Sequence, residues 1–552
     1  MATSSSSSGQ SPEAGKVESS SPHLFARQAT GLVREVSSPS ALILNHINGS
    51  PIIAMSFGLF FALSVYPGGS FYLACLLIIP IMLSYLYSFG FLTAAIPRSG
   101  GDYMLVSRII HPLVGLISSF CMTLAGLLSN VFFGIAFATL AVGPGLIVIG
   151  LVGGNETLVS WGSTVLTDKE WQFALATLCI VLGAAIQVGG WRVTLRIQNV
   201  LFVVTSAGLL FCLGVAIFTS PEEFQRSWNK FAGPITDSPD SYGAIIATAT
   251  KAGTDTNAAF SWANTIPLVA VLAGFTIYAY WSTNVGGELR QAKTIKTANN
   301  MVRAGFINLA CVAIFAWIFL HSFGKPFMTA IYGGGLPEQI SAPASYFFLT
   351  SAQLGSPLIA VVLAVTFALY WPLITYISYL QPTRMLFAYA FDGILPVSVT
   401  KVTKKGAPWM AILITTVLSL ITLIWGVYVA NNLFQILVYT ALIQIVSMGL
   451  VGLAAALFPK LRPELFRAST AAYRILGVPA VVIAGVGAVL STVLLWYLYF
   501  HYTALGLAGK TTFFMWFGAT ILLAVLYYIG AVAVRKRQGV DLKLVYAEIP
   551  PE

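Results

Sequence analysis

Ala41-Leu42-Ile43-Leu44-Asn45-His46-Ile47-Asn48-Gly49-Ser50-Pro51-Ile52-Ile53-Ala54-Met55-Ser56-Phe57 is an uncharged stretch with a polar break at its centre. Apolar residues flank the break on both sides, yet Asn48-Gly49-Ser50-Pro51 interrupts the run. Pro51 lacks an N–H, and its ring opposes a helix arriving from the preceding turn. In lipid every backbone polar group needs a partner, so a break is tolerated only where it faces protein or lines a cavity. About 225 residues later a second uncharged span carries Gly274-Phe275-Thr276-Ile277-Tyr278-Ala279-Tyr280-Trp281. Interrupted spans at matching places in two halves of a chain imply inverted repeats with a binding site at the breaks.

Composition supports a membrane setting. Of 552 residues, 57% are hydrophobic and only 9% charged, against about 25% charged in soluble domains; the mean hydropathy is +0.83. A net charge of +10 could indicate nucleic acid, but the basic residues lie between apolar runs, as cytoplasmic loops do. No nucleic-acid partner is expected, and the natural surroundings are membrane lipid. The five cysteines fall within apolar runs without metal-type spacing, so they read as packing residues.

A helical span needs about 20 apolar residues. Twelve are read: roughly 40–66, 71–95, 112–142, 171–190, 195–219, 263–287, 302–324, 354–382, 408–430, 432–458, 476–503 and 511–534. Gly143-Pro144-Gly145 is expected to end the third, and 220–262 and 325–353 are expected to be long external loops. With the N-terminus inside, 23 of the 29 Lys and Arg fall on the cytoplasmic side. Splitting the third run would reverse this, so twelve spans with both termini cytoplasmic are expected, in the plasma membrane. The Ser-rich segment 1–36 is expected to be a disordered tail. Residues 37–540 form one transport domain and 541–552 a C-terminal tail. Within the domain, repeat one covers about 40–219, repeat two about 263–458, and two additional helices about 476–534.

Two loop motifs stand out. Pro97-Arg98-Ser99-Gly100-Gly101-Asp102-Tyr103 follows span 2, where the paired glycines permit a sharp turn. Thr383-Arg384 through Asp392-Gly393-Ile394-Leu395-Pro396 follows span 8, where Gly393 suits a helix end and Pro396 prevents resumption. Arg98, Asp102 and Arg108 can pair at the membrane face. Arg384 and Asp392 can reach partners across it. Arg98, Asp102, Arg384 and Asp392 are therefore expected to gate access, with ordinary loop anchoring as the alternative.

Together these motifs resemble the amino acid–polyamine–organocation superfamily of permeases, and Gly286-Gly287-Glu288-Leu289-Arg290 is similar to that family's small-residue and acidic turn after span 6. The resemblance covers roughly residues 30–540. It implies an all-α polytopic membrane protein of 12 transmembrane helices in a five-plus-five inverted-repeat fold, with discontinuous helices 1 and 6. It also implies that a substrate carboxylate sits on span 1 backbone N–H groups and the amino group on span 6 carbonyls. Pro51 stands where the family has the last glycine of Gly-Ser-Gly, which removes one donor. Tyr278 and Tyr280 stand where relatives carry a glycine and an acidic residue.

The expected substrate contacts are Ile47, Asn48, Gly49, Ser50 and Pro51 of span 1, Ala125 and Asn130 of span 3, Gly274, Phe275, Thr276, Ile277, Tyr278, Ala279 and Tyr280 of span 6, and Ser378 of span 8. For Asn130, helix–helix hydrogen bonding is the equal alternative. His46 is either a proton carrier or a packing histidine. No Lys, Asp or Glu lies deep in a span, where a charge costs about 2.5–3.5 kcal/mol on insertion scales. Thr205 stands where proton-linked relatives place a span 5 lysine, seven residues after Gln198. No cofactor is expected. A coupling ion stays open: a proton, sodium near Thr375 and Ser378, or none.

The function implied is a secondary active transporter moving amino acids by alternating access, neutral apolar or aromatic ones first. An exchanger of cationic amino acids or polyamines using cation–π contacts is the alternative. A membrane-embedded enzyme is disfavoured because no span holds a catalytic carboxylate cluster. No Gly-x-x-x-x-Gly-Lys-Ser/Thr loop supports nucleotide-driven transport.

Overall fold

Apolar runs of the right length fold into helices because only helices satisfy their own backbone in lipid. The computed structural model describes residues 34–340, 345–430, 432–505, 510–539 and 541–547. Nearly all of the expected N-terminal tail lies outside the described residues. Among the described residues, twelve helices are long and apolar enough to cross a membrane: Ser38–Val65, Phe71–Ala95, Pro112–Gly153, Lys169–Val188, Trp191–Ile217, Trp262–Asn284, Ile295–Phe323, Pro357–Phe391, Trp409–Ala430, Leu433–Leu461, Ala480–His501 and Lys510–Arg537. These are spans 1 to 12. The face where the chain enters span 1, which carries the turns after spans 2, 6 and 8, is termed the basic face.

Spans 1 and 6 lie at the centre and span 12 at the rim. Their most apolar windows are 72%, 78% and 11% buried. Span 1 is two helices, Ser38–Asn48 and Pro51–Phe60. Ser50 between them is left-handed (φ 46°), a rare conformation for a residue with a side chain. Span 6 is helical from Trp262 to Thr276, turns through 277–280, and resumes as a short 3₁₀ turn, Trp281–Asn284.

Small residues let spans approach closely. A Cβ on Gly90 of span 2 would sit 2.5 Å from the Ala298 Cα of span 7. One on Gly485 of span 11 would sit 2.5 Å from the Gly452 carbonyl of span 10.

Three expectations are corrected. Gly143-Pro144-Gly145 does not end span 3, which runs on to Gly153. A wider π-turn over Phe137–Val142 precedes Pro144 and makes room for a ring that would otherwise strike the preceding turn. The segments read as long loops are largely helical, with Pro221–Thr236, Ser241–Lys251, Lys325–Tyr332 and Tyr346–Leu354. They close over an aromatic cluster that includes Phe224, Trp228, Phe323 and Phe327. Span 8 continues to Phe391, so Arg384 sits in its last turns and not in a loop. Pro372 and Pro382 lie inside that helix without ending it.

Candidate functional site

The two breaks meet. Asn48 Nδ2 donates to the Tyr278 carbonyl (3.0 Å), and the Ser282 N–H donates to Asn45 Oδ1 (2.8 Å). Each bond uses a backbone group that the broken helix leaves over. Ser50 makes no side-chain cap on the second half-helix; its hydroxyl pairs with Tyr370 Oη of span 8 (2.5 Å). Trp281 Nε1 donates to the Ile377 carbonyl (2.7 Å) and ties the span 6 turn to span 8.

A cavity of about 50 Å³ lies between the breaks. Ligand pockets are commonly about 300–1,000 Å³, so the breaks are closed on each other. Of the expected contacts, Asn48, Ser50, Gly274, Phe275, Tyr278 and Ser378 line it. Ile53, Ser129, Phe132, Phe133, Trp281, Ile374, Leu437, Thr440, Ala441 and Gln444 line it too. These were missed because span 10, and the lipid-like run around Phe132, carry no break or charge to mark them. Trp281 is the exception: it belongs to the span 6 stretch whose aromatic faces were legible in the sequence.

The remaining expected contacts lie elsewhere. Ile47, Ala125, Thr276, Ile277 and Ala279 are buried in the packing around the cavity. Pro51 opens the second half-helix. Gly49 faces Asn308 of span 7, where a Cβ would fall 1.7 Å from Nδ2. Tyr280 stacks on Phe89 of span 2, with centroids 3.8 Å apart. Asn130 donates to Ser419 Oγ of span 9 (3.0 Å) and accepts from the Ser378 hydroxyl, so it joins spans 3, 8 and 9. Thr375 donates to the Trp371 carbonyl (2.8 Å) and its hydroxyl faces Cys179 of span 4.

Away from the basic face, aromatic rings pack against Phe275 of the cavity lining. Phe57 stacks on Phe275 (5.9 Å) and Phe434 (6.5 Å), and Phe61 lies 4.8 Å from Phe434.

Toward the basic face lies a cluster that is charged and buried. Arg384 pairs with Glu288 through Nε–Oε1 and Nη2–Oε2, each 3.2 Å. Ser99 donates to Glu288 Oε1 (3.2 Å) and Trp191 Nε1 donates to Oε2. Arg384 also reaches Gln187 Oε1 (3.2 Å), and its guanidinium lies 5.3 Å from the Trp191 ring centroid. This one cluster joins spans 4, 5 and 8 to the turns after spans 2 and 6. The backbone holds it in place: Val36 N–H donates to the Glu288 carbonyl (3.0 Å) and Gly100 N–H to the Asn284 carbonyl (3.1 Å). Gly100 (φ 122°) and Gly101 (φ 53°) take backbone angles that side chains disfavour.

A second pair, Arg108 to both Asp392 oxygens (2.7 Å each), lies beside it. Tyr103 donates to Asp392 Oδ2 (2.7 Å) and bonds Tyr546 Oη (2.9 Å) of the C-terminal helix Leu542–Ala547. The expected grouping of Arg98, Asp102 and Arg108 is thus corrected. Arg108 crosses to Asp392, Arg98 donates to the Pro97 carbonyl (3.0 Å), and Asp102 accepts from Ser118 (2.5 Å) and Ser447 (2.7 Å). Burial pushes the Asp102 carboxyl up to about 6, against the pull of its hydrogen bonds. Glu288 was the missed member; its Gly-Gly-Glu turn was legible, its partner was not.

A twelve-span bundle with two broken helices around an inner cavity has the architecture of a membrane transport protein. The chain matches the family described as Amino acid permease over residues 35–526 and belongs to it, within the amino acid–polyamine–organocation superfamily. It is an integral membrane protein of amino acid transport and not an enzyme. No curated protein matches it.

Proposed function

We propose that the chain is a secondary transporter of neutral apolar or aromatic amino acids that works by alternating access. The observation that carries this is the lining of the cavity at the breaks: Phe132, Phe133, Phe275, Tyr278, Trp281, Ile53, Ile374 and Leu437, with hydroxyls and amides but no Asp or Glu. A cationic side chain would lack a carboxylate there, and an apolar one gains by leaving water.

The substrate carboxylate sits at the head of the half-helix Pro51–Phe60, where the Ile52 and Ile53 N–H groups point and the helix dipole favours an anion. Pro51 offers no third donor. The amino group sits at the C-terminal end of Trp262–Thr276, where freed carbonyls accept. The matched breaks support a five-plus-five inverted repeat. The distribution of Lys and Arg supports a cytoplasmic basic face.

In this reading the charged cluster is the cytoplasmic gate and the Phe57–Phe61–Phe275–Phe434 stack the external one. With both closed, the conformation is occluded. Substrate binding draws the breaks together, and release follows separation of Arg384 from Glu288.

The test is thermal stabilisation of purified protein by a panel of amino acids, because a ligand that binds only the folded state raises its stability with concentration. Leucine and phenylalanine should raise the melting temperature and arginine or putrescine should not. The reverse order would favour the cation–π alternative.

A further inference from the structure

A crevice of about 760 Å³ opens between spans 2 and 11 near the basic face, far larger than the cavity at the breaks. Its walls are apolar: Leu83, Tyr87 and Phe91 of span 2 face Ala480, Ile483 and Ala484 of span 11. Its mouth is polar, with Asn299, Thr470 and Tyr473. The Thr470 hydroxyl is buried and has no hydrogen-bond partner among the described residues. Arg303 lies one helical turn beyond Asn299, and Arg474 lies between two lining residues, Tyr473 and Ile475; both arginines are exposed. Arg474 uses one N–H on the Gly477 carbonyl (3.0 Å), and four donors remain on its fork.

The loop beside the crevice carries a second signal. Arg474–Ile475 and Val478–Pro479 pair as a small hairpin. Its tip residue Leu476 is 100% exposed, and Tyr473, Ile475 and Val478 are exposed as well. Apolar side chains bared around an arginine suit the boundary between lipid headgroups and acyl chains, not bulk water. Arginines next to the lining of a crevice between helices at that boundary suit an anionic headgroup.

We propose that this crevice is a binding site for an anionic phospholipid. One acyl chain lies between spans 2 and 11, and the phosphate is held by Arg303 and Arg474 with the Thr470 hydroxyl. The inference is independent of the transported substrate. The occupied crevice ties span 2, which carries the Gly100–Gly101 turn, to spans 7 and 11, so the lipid bears on the charged gate.

The experiment is native mass spectrometry of the full chain, delipidated in detergent and titrated with dioleoyl phosphatidylglycerol or dioleoyl phosphatidylcholine. Phosphatidylglycerol should bind at least fivefold more tightly. The double variant R303E/R474E should lose that preference while keeping weak binding of both lipids. Ala484→Trp, which fills the crevice from its apolar side, should weaken both. Melting temperatures without lipid identify a variant that has simply lost its fold; in that case Thr470→Val supplies the reading, with a smaller loss of phosphatidylglycerol alone. Equal binding of the two lipids by the unaltered chain would overturn the proposal. So would a preference unchanged in R303E/R474E, or in Thr470→Val where that variant supplies the reading.

Discussion

Arg384 and Glu288 are both buried, so removing one leaves the other as an uncompensated charge. That loss costs about 3–5 kcal/mol, whereas replacing both can be nearly neutral. Arg384→Ala is therefore expected to lower both stability and flux. The informative protein is Arg384→Met with Glu288→Gln. Its melting temperature should return toward the parent value, while flux stays slowed and external substrate affinity stays within a few-fold. Binding and flux measured on the same preparation check this; normal flux in the double variant would make the pair an anchor. Asp102 gives a pH signature. Its folded pKa of about 6 is above the ordinary carboxylate value, so the protonated form fits the fold better. Its contribution is fully present below about pH 4 and lost as pH rises through 6. Melting temperature should fall over that window by more in the parent than in Asp102→Asn.

The breaks in spans 1 and 6 belong to the scale of the element. Gly49 is held against Asn308, so Gly49→Ala should disrupt folding or transport. Adding Asn308→Ala should restore much of the loss by vacating the clash at 1.7 Å; uptake and melting curves of single and double variants decide it. The C-terminal helix offers another test. Tyr546 bonds Tyr103 and lies under the Arg108 guanidinium, 4.8 Å from ring centroid to Cζ. Deleting residues 542–552 should loosen the Arg108–Asp392 pair and speed exchange severalfold, with Tyr546→Phe in between. An unchanged exchange rate would mean that the tail only docks. Element positions were largely legible, because hydropathy and Pro51 act locally: nine of the spans begin and end within four residues of the apolar runs. Two things were not. The runs read for spans 3 and 8 end at 142 and 382, yet the helices continue to Gly153 and Phe391. Helices outside the membrane, such as Pro221–Thr236, have mixed amphipathic composition that looks like loop.

At the scale of the molecule, pairing across the bundle is what the chain order hides. Glu288 and Arg384 are 96 positions apart, and no periodicity links them. Asn130 illustrates the same limit: an amide in an apolar span has to find a partner, but only the fold shows that Ser378 and Ser419 supply it. The central claim is that the cavity between the breaks carries neutral apolar or aromatic amino acids across the membrane. Counterflow in proteoliposomes tests it most directly: vesicles loaded with unlabelled leucine or phenylalanine, with labelled amino acid outside. The account predicts transient accumulation of labelled leucine and phenylalanine, abolished by Trp in place of Ala441 at the cavity wall. Accumulation of arginine or a polyamine, with none of leucine or phenylalanine, would contradict it.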